Sequence, residues 1–281
     1  MADEDQLPAA QREALAKRLD RFERPFQFSL RKLMLWVAAF ALLCGLLTSL
    51  WRAIEGAREA ARRAGCVCHL KQLAFALLCY HDAHGCFPPA YVCDKNGKPM
   101  HSWRVFILPY FNEEAAYARY DFTKPWNSPQ NQRVANAVWG RNADYFQCPS
   151  GHLHGTPFTN YVAVVGPDTV LLEDKCRKLT SGNAQKIMLV EIADSDIHWM
   201  EPRDLTFDEV MALARGGSGP TASSRHPAGL NYADASSTVR TLDRDIDVKT
   251  LRKMLIVEPA DSGMCGESAV PENTQSGQTQ P

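Results

Sequence analysis

Between Leu33 and Trp51 lie 19 consecutive residues, LMLWVAAFALLCGLLTSLW, with no charge, no proline and no asparagine or glutamine. A stretch of this kind has few places to go. As a helix rising about 1.5 Å per residue it is roughly 28 Å long, close to the ~30 Å hydrocarbon core of a bilayer. Arg31 and Lys32 close one end and Arg52 the other, while Trp36 and Trp51 sit near the two ends, where amphipathic rings favour the interface. A buried helix of a soluble domain is rarely so long and so evenly apolar. A secretory signal peptide has an apolar region of about 7–15 residues near the chain start, followed by a small-residue cleavage site. Here the run begins late, is longer, and Thr48 to Ala53 offer no A-x-A pattern. The expectation is an uncleaved single-pass anchor over residues 30–52 that meets the lipid bilayer through Leu33 to Trp51. Arg12, Lys17, Arg18, Arg21, Arg24, Arg31 and Lys32 precede the run, and Arg52, Arg58, Arg62 and Arg63 follow it. The positive-inside rule then places the polar segment 1–29 in the cytoplasm, by a small margin, and everything after the anchor outside it.

The remaining chain suits one ordinary domain, residues 53–257, large enough to fold on its own core. Lys plus Arg (31) nearly equals Asp plus Glu (32), so overall charge points to no nucleic-acid partner. A short helix is expected from Ala10 to Phe22. Beyond the anchor, Ile54, Ala57, Ala61, Ala64, Cys68, Leu73 and Leu77 continue a helical apolar stripe beside Arg58, Glu59, Arg62 and Arg63. One helix is therefore predicted from about Leu30 to Tyr80, ended by Gly85 and Pro88-Pro89 and weakened by Gly56 and Gly65. Cys93 to Pro99 reads as a loop with an Asn96-Gly97 turn. Glu113 to Tyr120, Pro129 to Trp139, Val210 to Ala214 and Val248 to Ile256 read as helices. Tyr145 to Cys148, Asn160 to Val165, Lys186 to Ile192, Leu230 to Ala233 and Thr238 to Leu242 read as strands. Residues 258–281, rich in Pro, Ser, Gly, Gln and Thr, read as a disordered tail. A long helix, then loops, then a small late antiparallel sheet with short helices is an α+β plan.

Several segments taken together resemble a known family. They are Leu70-Lys71-Gln72-Leu73 with Tyr80-His81-Asp82-Ala83-His84-Gly85-Cys86-Phe87-Pro88-Pro89-Ala90, Ser102-Trp103-Arg104-Val105 with Leu108-Pro109-Tyr110, and Tyr120-Asp121-Phe122 with Pro125-Trp126-Asn127-Ser128-Pro129. Phe146-Gln147-Cys148-Pro149-Ser150, Thr159-Asn160-Tyr161-Val162-Ala163-Val164-Val165-Gly166 and Ser224-Arg225-His226-Pro227 follow in order. Over about residues 62–256 the chain resembles the planctomycete family called domain of unknown function 1559. The resemblance implies a pseudopilin-like architecture with a prepilin-type N-terminal segment, in the cell envelope, and no established activity. Two departures stand out. Phe26-Gln27-Phe28-Ser29-Leu30-Arg31-Lys32-Leu33 has neither the family's preceding Gly, the landmark of its processing peptidase, nor the Glu early in the apolar helix that helps subunits assemble. Near the end, seven residues separate His226 from Asp234, and Ala235 stands where the family has Gly, so a turn that wants φ > 0 is expected to be altered. Cys66 and Cys148 fall where the family commonly has cysteine, which in an oxidising compartment implies a disulfide from the long helix to the sheet side. Cys86, Cys93 and Cys176 are further candidates for pairing, and the count of nine leaves at least one cysteine over.

The sharpest chemical candidate is a metal site at His81 and His84, three apart near a helix end, with His152, His154 and His226 elsewhere. Zinc needs three or four ligands, and the pattern lacks the Glu of an H-E-x-x-H hydrolase. Histidines at the negative end of a helix dipole suit a purely structural role equally well. Ser224, His226 and Asp234 have no G-x-S-x-G elbow around them. Gly216-Gly217-Ser218-Gly219-Pro220 lacks the lysine and helix of a phosphate loop. Trp103, Trp126, Trp139 and Trp199 are candidates for a ligand groove, though such residues more often build a core. The sequence thus leads to a membrane-anchored structural or interaction protein of the envelope with no catalytic residues and no cofactor. A tethered binding module is the second reading, and a metal-dependent hydrolase around His81, Asp82 and His84 the third.

Overall fold

No proline interrupts the chain between Leu30 and His84, and those 55 residues form one helix, α1. It stops where Gly85 adopts φ +76°, a left-handed conformation open to glycine, and donates its amide to the His81 carbonyl at 2.7 Å. The computed structural model describes residues 8, 10, 13–14, 29–151, 153, 155–179, 181–193, 195–213, 229–243, 245–258 and 262–264. The helix expected over Ala10 to Phe22 therefore lies almost wholly outside the described residues. Two units are distinguished, Met1–Arg58 and Glu59–Pro281. In the first, α1 presents Leu33, Met34, Leu35, Trp36, Phe40 and Leu46 as exposed side chains. None of the residues in its most apolar 18-residue window is buried.

The second unit is built around a five-stranded sheet. Its strands are β3 (Tyr161–Val165), β5 (Ile187–Glu191), β6 (Leu205–Thr206), β7 (Leu230–Asp234) and β8 (Val239–Leu242), in the order β6-β3-β5-β7-β8. Neighbours are antiparallel except β6, which runs parallel to β3 at one edge with Val164 opposite Leu205. Every residue of β3, β5 and β7 is buried, so both faces of the sheet are covered. Tyr161, Ala163, Val165, Leu189 and Ala233 pack with Cys66, Leu70, Leu73, Ala74 and Leu77 of α1. Val162, Val164, Val190, Leu230 and Tyr232 face the other way, onto Val210 and Met211 of α5 (Phe207–Leu213) and Leu251 and Leu255 of α6 (Val248–Leu255). The alternation follows from the two-residue period of a strand. Gly65 serves this packing, because a Cβ there would come within 3.0 Å of Pro149 Cγ.

Between α1 and the sheet the chain forms a hairpin, β1 (Tyr91–Cys93) with β2 (Pro99–Ser102), then one-turn helices α2 (Trp103–Phe106) and α3 (Glu114–Tyr117), and then α4 (Pro129–Asn142). The loop expected over Cys93 to Pro99 is thus the tip of a hairpin, tied by Asp94 Oδ1, which accepts from the amides of Asn96 and Lys98. The helix expected over Glu113 to Tyr120 is a single turn. Tyr145 to Cys148 is not a strand: a 3₁₀ turn covers Ala143–Phe146. The backbone there is satisfied otherwise, with Thr159 Oγ1 and Asn160 N donating to the Phe146 carbonyl and Cys148 N to Asn160 Oδ1. Within the tail read as disordered, Ser262–Met264 forms β9 and pairs antiparallel with β4 (Arg177–Leu179). Residues 259–261 and 265–281 lie outside the described residues. The turn after β7 keeps a positive φ, but at Ser237 (+61°) rather than at Ala235, which is buried and donates its amide to the Lys186 carbonyl.

Candidate functional site

One polar row crosses the face of the sheet that α1 covers. Tyr161 of β3 is in register with Glu191 of β5, and Asn231 of β7 with Thr241 of β8. Asn231 Nδ2 donates to Glu191 Oε2 at 2.7 Å, Thr241 Oγ1 to Asn231 Oδ1 at 3.1 Å, and Arg63 of α1 to Thr241 Oγ1 at 3.2 Å. At the other end, Tyr161 Oη lies 3.2 Å from the Cys66 carbonyl, to which it donates. Burial and the Glu191 charge hold this phenol well above the usual tyrosine range.

Cys66 lies over the row and is joined to Cys148 by a disulfide with the Cα atoms 4.9 Å apart. Each partner is placed from its own side. Cys66 sits on the buried stripe of α1. The loop carrying Cys148 is held by Asn160, whose Nδ2 donates to the carbonyls of Ile192 and Ala193. His69, one turn beyond Cys66, donates Nδ1 to the Gln147 carbonyl at 3.0 Å, and Ser150 Oγ donates to Glu59. Cys66, Cys148 and Glu191 are all buried, and one ligand atom from each lies within 4.8 Å of the others. Among the described residues this is the one such group of three metal-capable side chains. Cys68 is exposed and Cys93 half-buried, whereas Cys86 and Cys176 are buried near Tyr80.

The histidines singled out in the sequence sit at the other end of the α1 packing. His84 Nδ1 donates to the Tyr80 carbonyl at 3.0 Å, and its ring stacks on Tyr80 with centroids 4.0 Å apart. His81 has Asp82 Oδ1 at 3.6 Å from Nδ1, and neither of its ring nitrogens makes a hydrogen bond. It lines an open cavity of about 270 Å³ with Leu78, Asp82, Phe87, Leu179, Ala235 and Ser236. No described group of three ligands includes either histidine. Asp234 Oδ1 is taken up by the turn, accepting from Ser236 N, Ser236 Oγ and Thr238 N. Ser224, His226, His152, His154 and Gly216 to Pro220 lie outside the described residues.

The tryptophans do not line a groove together. Trp103 and Trp199 are fully buried, and Trp126 and Trp139 are half-buried against the same core. The Ser102-Trp103-Arg104 segment makes a buried clamp instead. Arg104 donates to Asp204 at 2.6 Å and to the Tyr161 carbonyl at 3.0 Å; Trp103 Nε1 and Ala163 N also donate to Asp204. Burial pushes the Asp204 carboxyl up, and Arg104 and the three donors pull it back. Asn131 is a second hub, accepting from Asp121 N and donating to the carbonyls of Asp121, Lys124 and Pro125. Two histidines are held neutral. His101, mainly by burial, is lowered while it bridges Tyr120 Oη and the Phe122 carbonyl. His198, pushed down to about 4 by burial, accepts the Met200 amide on Nδ1.

Residues 55–186, from the middle of α1 to the start of β5, match the family described as protein of unknown function (DUF1559). Over that segment the chain is similar to the family. The matched segment holds Trp103 and Arg104 of the clamp, the Asn131 hub, the Cys148 loop and β3, but not Asp204. No curated protein and no solved structure matches the chain. Sequence reasoning missed Glu191 as a site residue. A lone acid inside the apolar run Ile187 to Ile192 was the signal for it.

Proposed function

We propose that this protein is a membrane-tethered, pseudopilin-like structural or interaction protein of the cell envelope, with the second unit outside the cytoplasm and no catalytic role. The observation that carries the reading is the first unit's stretch of α1. It is long and apolar enough to cross a membrane, yet none of its most apolar window is buried. The core helix of a soluble protein would be covered; this one leaves Leu35, Trp36, Phe40, Leu42 and Leu46 to water unless lipid receives them. The Cys66–Cys148 disulfide supports the extracytoplasmic placement, because such bonds persist in oxidising compartments. The non-catalytic reading is supported by where the polar residues of the family segments point. Arg104, Asn131, Gln147 and Asn160 are buried and bonded to the chain's own backbone or side chains.

The binding-module reading has one observation of its own, the His81 cavity with its two unbonded ring nitrogens. Membrane fractionation combined with protease protection tests the leading reading. The expected result is a chain in the membrane fraction that resists alkaline extraction, with its second unit cleaved by protease added to the periplasmic side. Recovery of the full chain in the soluble fraction without detergent would reject it.

A further inference from the structure

We propose that Cys66, Cys148 and Glu191 are a two-state site: a disulfide when oxidised, and a ligand set for a thiophilic divalent cation, Zn²⁺, when the cysteines are reduced. The three groups come from α1, the loop before β3 and the end of β5, and their ligand atoms already lie within 4.8 Å of one another. Donors at about 2.3 Å (sulfur) and 2.0–2.2 Å (carboxylate) around a tetrahedral ion sit roughly 3.5–3.8 Å apart, so the oxygen needs only a small approach. Once the S–S bond is broken, the sulfurs move apart toward that same spacing. Two thiolates with one carboxylate select zinc over calcium or magnesium, which take oxygen donors alone. Glu191 is oriented as a metal-ligating carboxylate should be, by the Asn231 amide, which Thr241 and Arg63 hold in turn. A purely structural disulfide has no need of a buried acid beside it.

The chemistry balances. A dithiol R(SH)₂ gives two electrons and two protons to the Cys66–Cys148 bond and leaves as its own cyclic disulfide, yielding two thiols. Zn²⁺ then binds as the two thiol protons pass to solvent. Both sulfurs and the carboxylate are almost wholly buried, so exchange in the folded chain requires the Cys148 loop to lift. The reduced state is therefore the state of the newly made chain, before oxidation. None of this depends on the chain's being a membrane protein.

The test uses the full chain in detergent micelles, unfolded, reduced with a phosphine and refolded without oxygen. Zn²⁺ is titrated against a chromophoric chelator, and Co²⁺ is used to read thiolate-to-metal charge transfer. The reduced chain is expected to hold one zinc more than a Cys66→Ser/Cys148→Ser variant, which keeps the other cysteines, and the oxidised chain none more. Glu191→Gln should weaken this zinc by more than tenfold, and Asn231→Leu by about tenfold, while both still form the disulfide on oxidation. Equal zinc in the double-serine variant, or unchanged affinity in Glu191→Gln, overturns the proposal. If refolding fails, Co²⁺ is added before denaturant is removed, and absence of charge-transfer absorption beyond that of the double-serine variant overturns it equally.

Discussion

Asp204 is fully enclosed and serves four donors, on Trp103, Arg104 and Ala163. A carboxylate so placed is stable only as long as its counter-charge remains. Arg104→Met would leave the acid buried without it, and such a loss costs about 3–5 kcal/mol. The urea midpoint of the second unit should fall accordingly. Replacing both partners by apolar residues of similar volume should recover only part of that loss, because Trp103 Nε1, the Ala163 amide and the Tyr161 carbonyl would each lose a partner. Equal destabilisation of the single and double variants would show that the hydrogen bonds to Trp103, Ala163 and Tyr161 outweigh the charge pairing. The two depressed histidines make a separate prediction. With His198 lowered from an ordinary 6.5 to about 4 and His101 lowered as well, the unfolded chain binds more protons in that window than the folded one. The stability they hold is complete above about pH 6.5 and drains as pH falls toward 4. His198→Asn keeps an acceptor for the Met200 amide but cannot titrate. Denaturation midpoints measured from pH 7 to 4 should fall less steeply in that variant than in the parent, and identical slopes would remove His198 from the account.

The sheet depends on close approaches that only small residues permit. Gly229, at φ +122°, enters β7 so tightly that a Cβ would stand 2.2 Å from the Leu242 carbonyl oxygen. Gly229→Ala should cost about 2–4 kcal/mol, through both the left-handed backbone and the clash with the β8 partner strand. A chemical-denaturation midpoint within error of the parent would contradict that geometry. Losing the disulfide, which closes a separation of 82 residues, should cost about 4 kcal/mol if it acts by restricting the unfolded chain. The Cys66→Ala/Cys148→Ala variant measures this against the oxidised parent. Elements with a strong period of their own were legible: α1 from its stripe and lack of proline, and β3, β5, β7 and β8 from short β-branched runs bounded by turn residues. What escaped was set by partners far away in sequence. Tyr145 to Cys148 has the composition of a strand, yet Thr159 and Asn160 take its backbone groups before any ladder can. The Arg104–Asp204 pair spans 100 positions and leaves no local pattern. β9 forms in a stretch of weak propensity because the β4 edge offers it open hydrogen bonds. Of the candidate site, the two cysteines were legible through resemblance; Glu191 was missed, although its misfit among apolar neighbours marks it. The row joining them exists only once four strands, β3, β5, β7 and β8, are in register.

At the level of the whole chain, the proposed topology makes the apolar stretch and the disulfide two readouts of one event. If Leu33 to Trp51 enters the bilayer and carries the second unit across, Cys66 and Cys148 meet an oxidising environment. If it does not, they stay where thiols are kept reduced. An arginine near the middle of a crossing helix costs about 2.5–3.5 kcal/mol on insertion scales, so Leu42→Arg with Leu43→Arg should block insertion. Both side chains are exposed and belong to the first unit, so the core of the second unit is untouched by the change. The double-arginine chain should therefore leave the alkali-resistant membrane fraction. In the same cells, thiol labelling under denaturing conditions should find Cys66 and Cys148 newly reactive. A leucine-to-isoleucine pair at the same positions should change neither readout. Should the disulfide form as before while the chain leaves the membrane, oxidation and insertion would be uncoupled, and the extracytoplasmic placement would lose the support that the cysteines lend it.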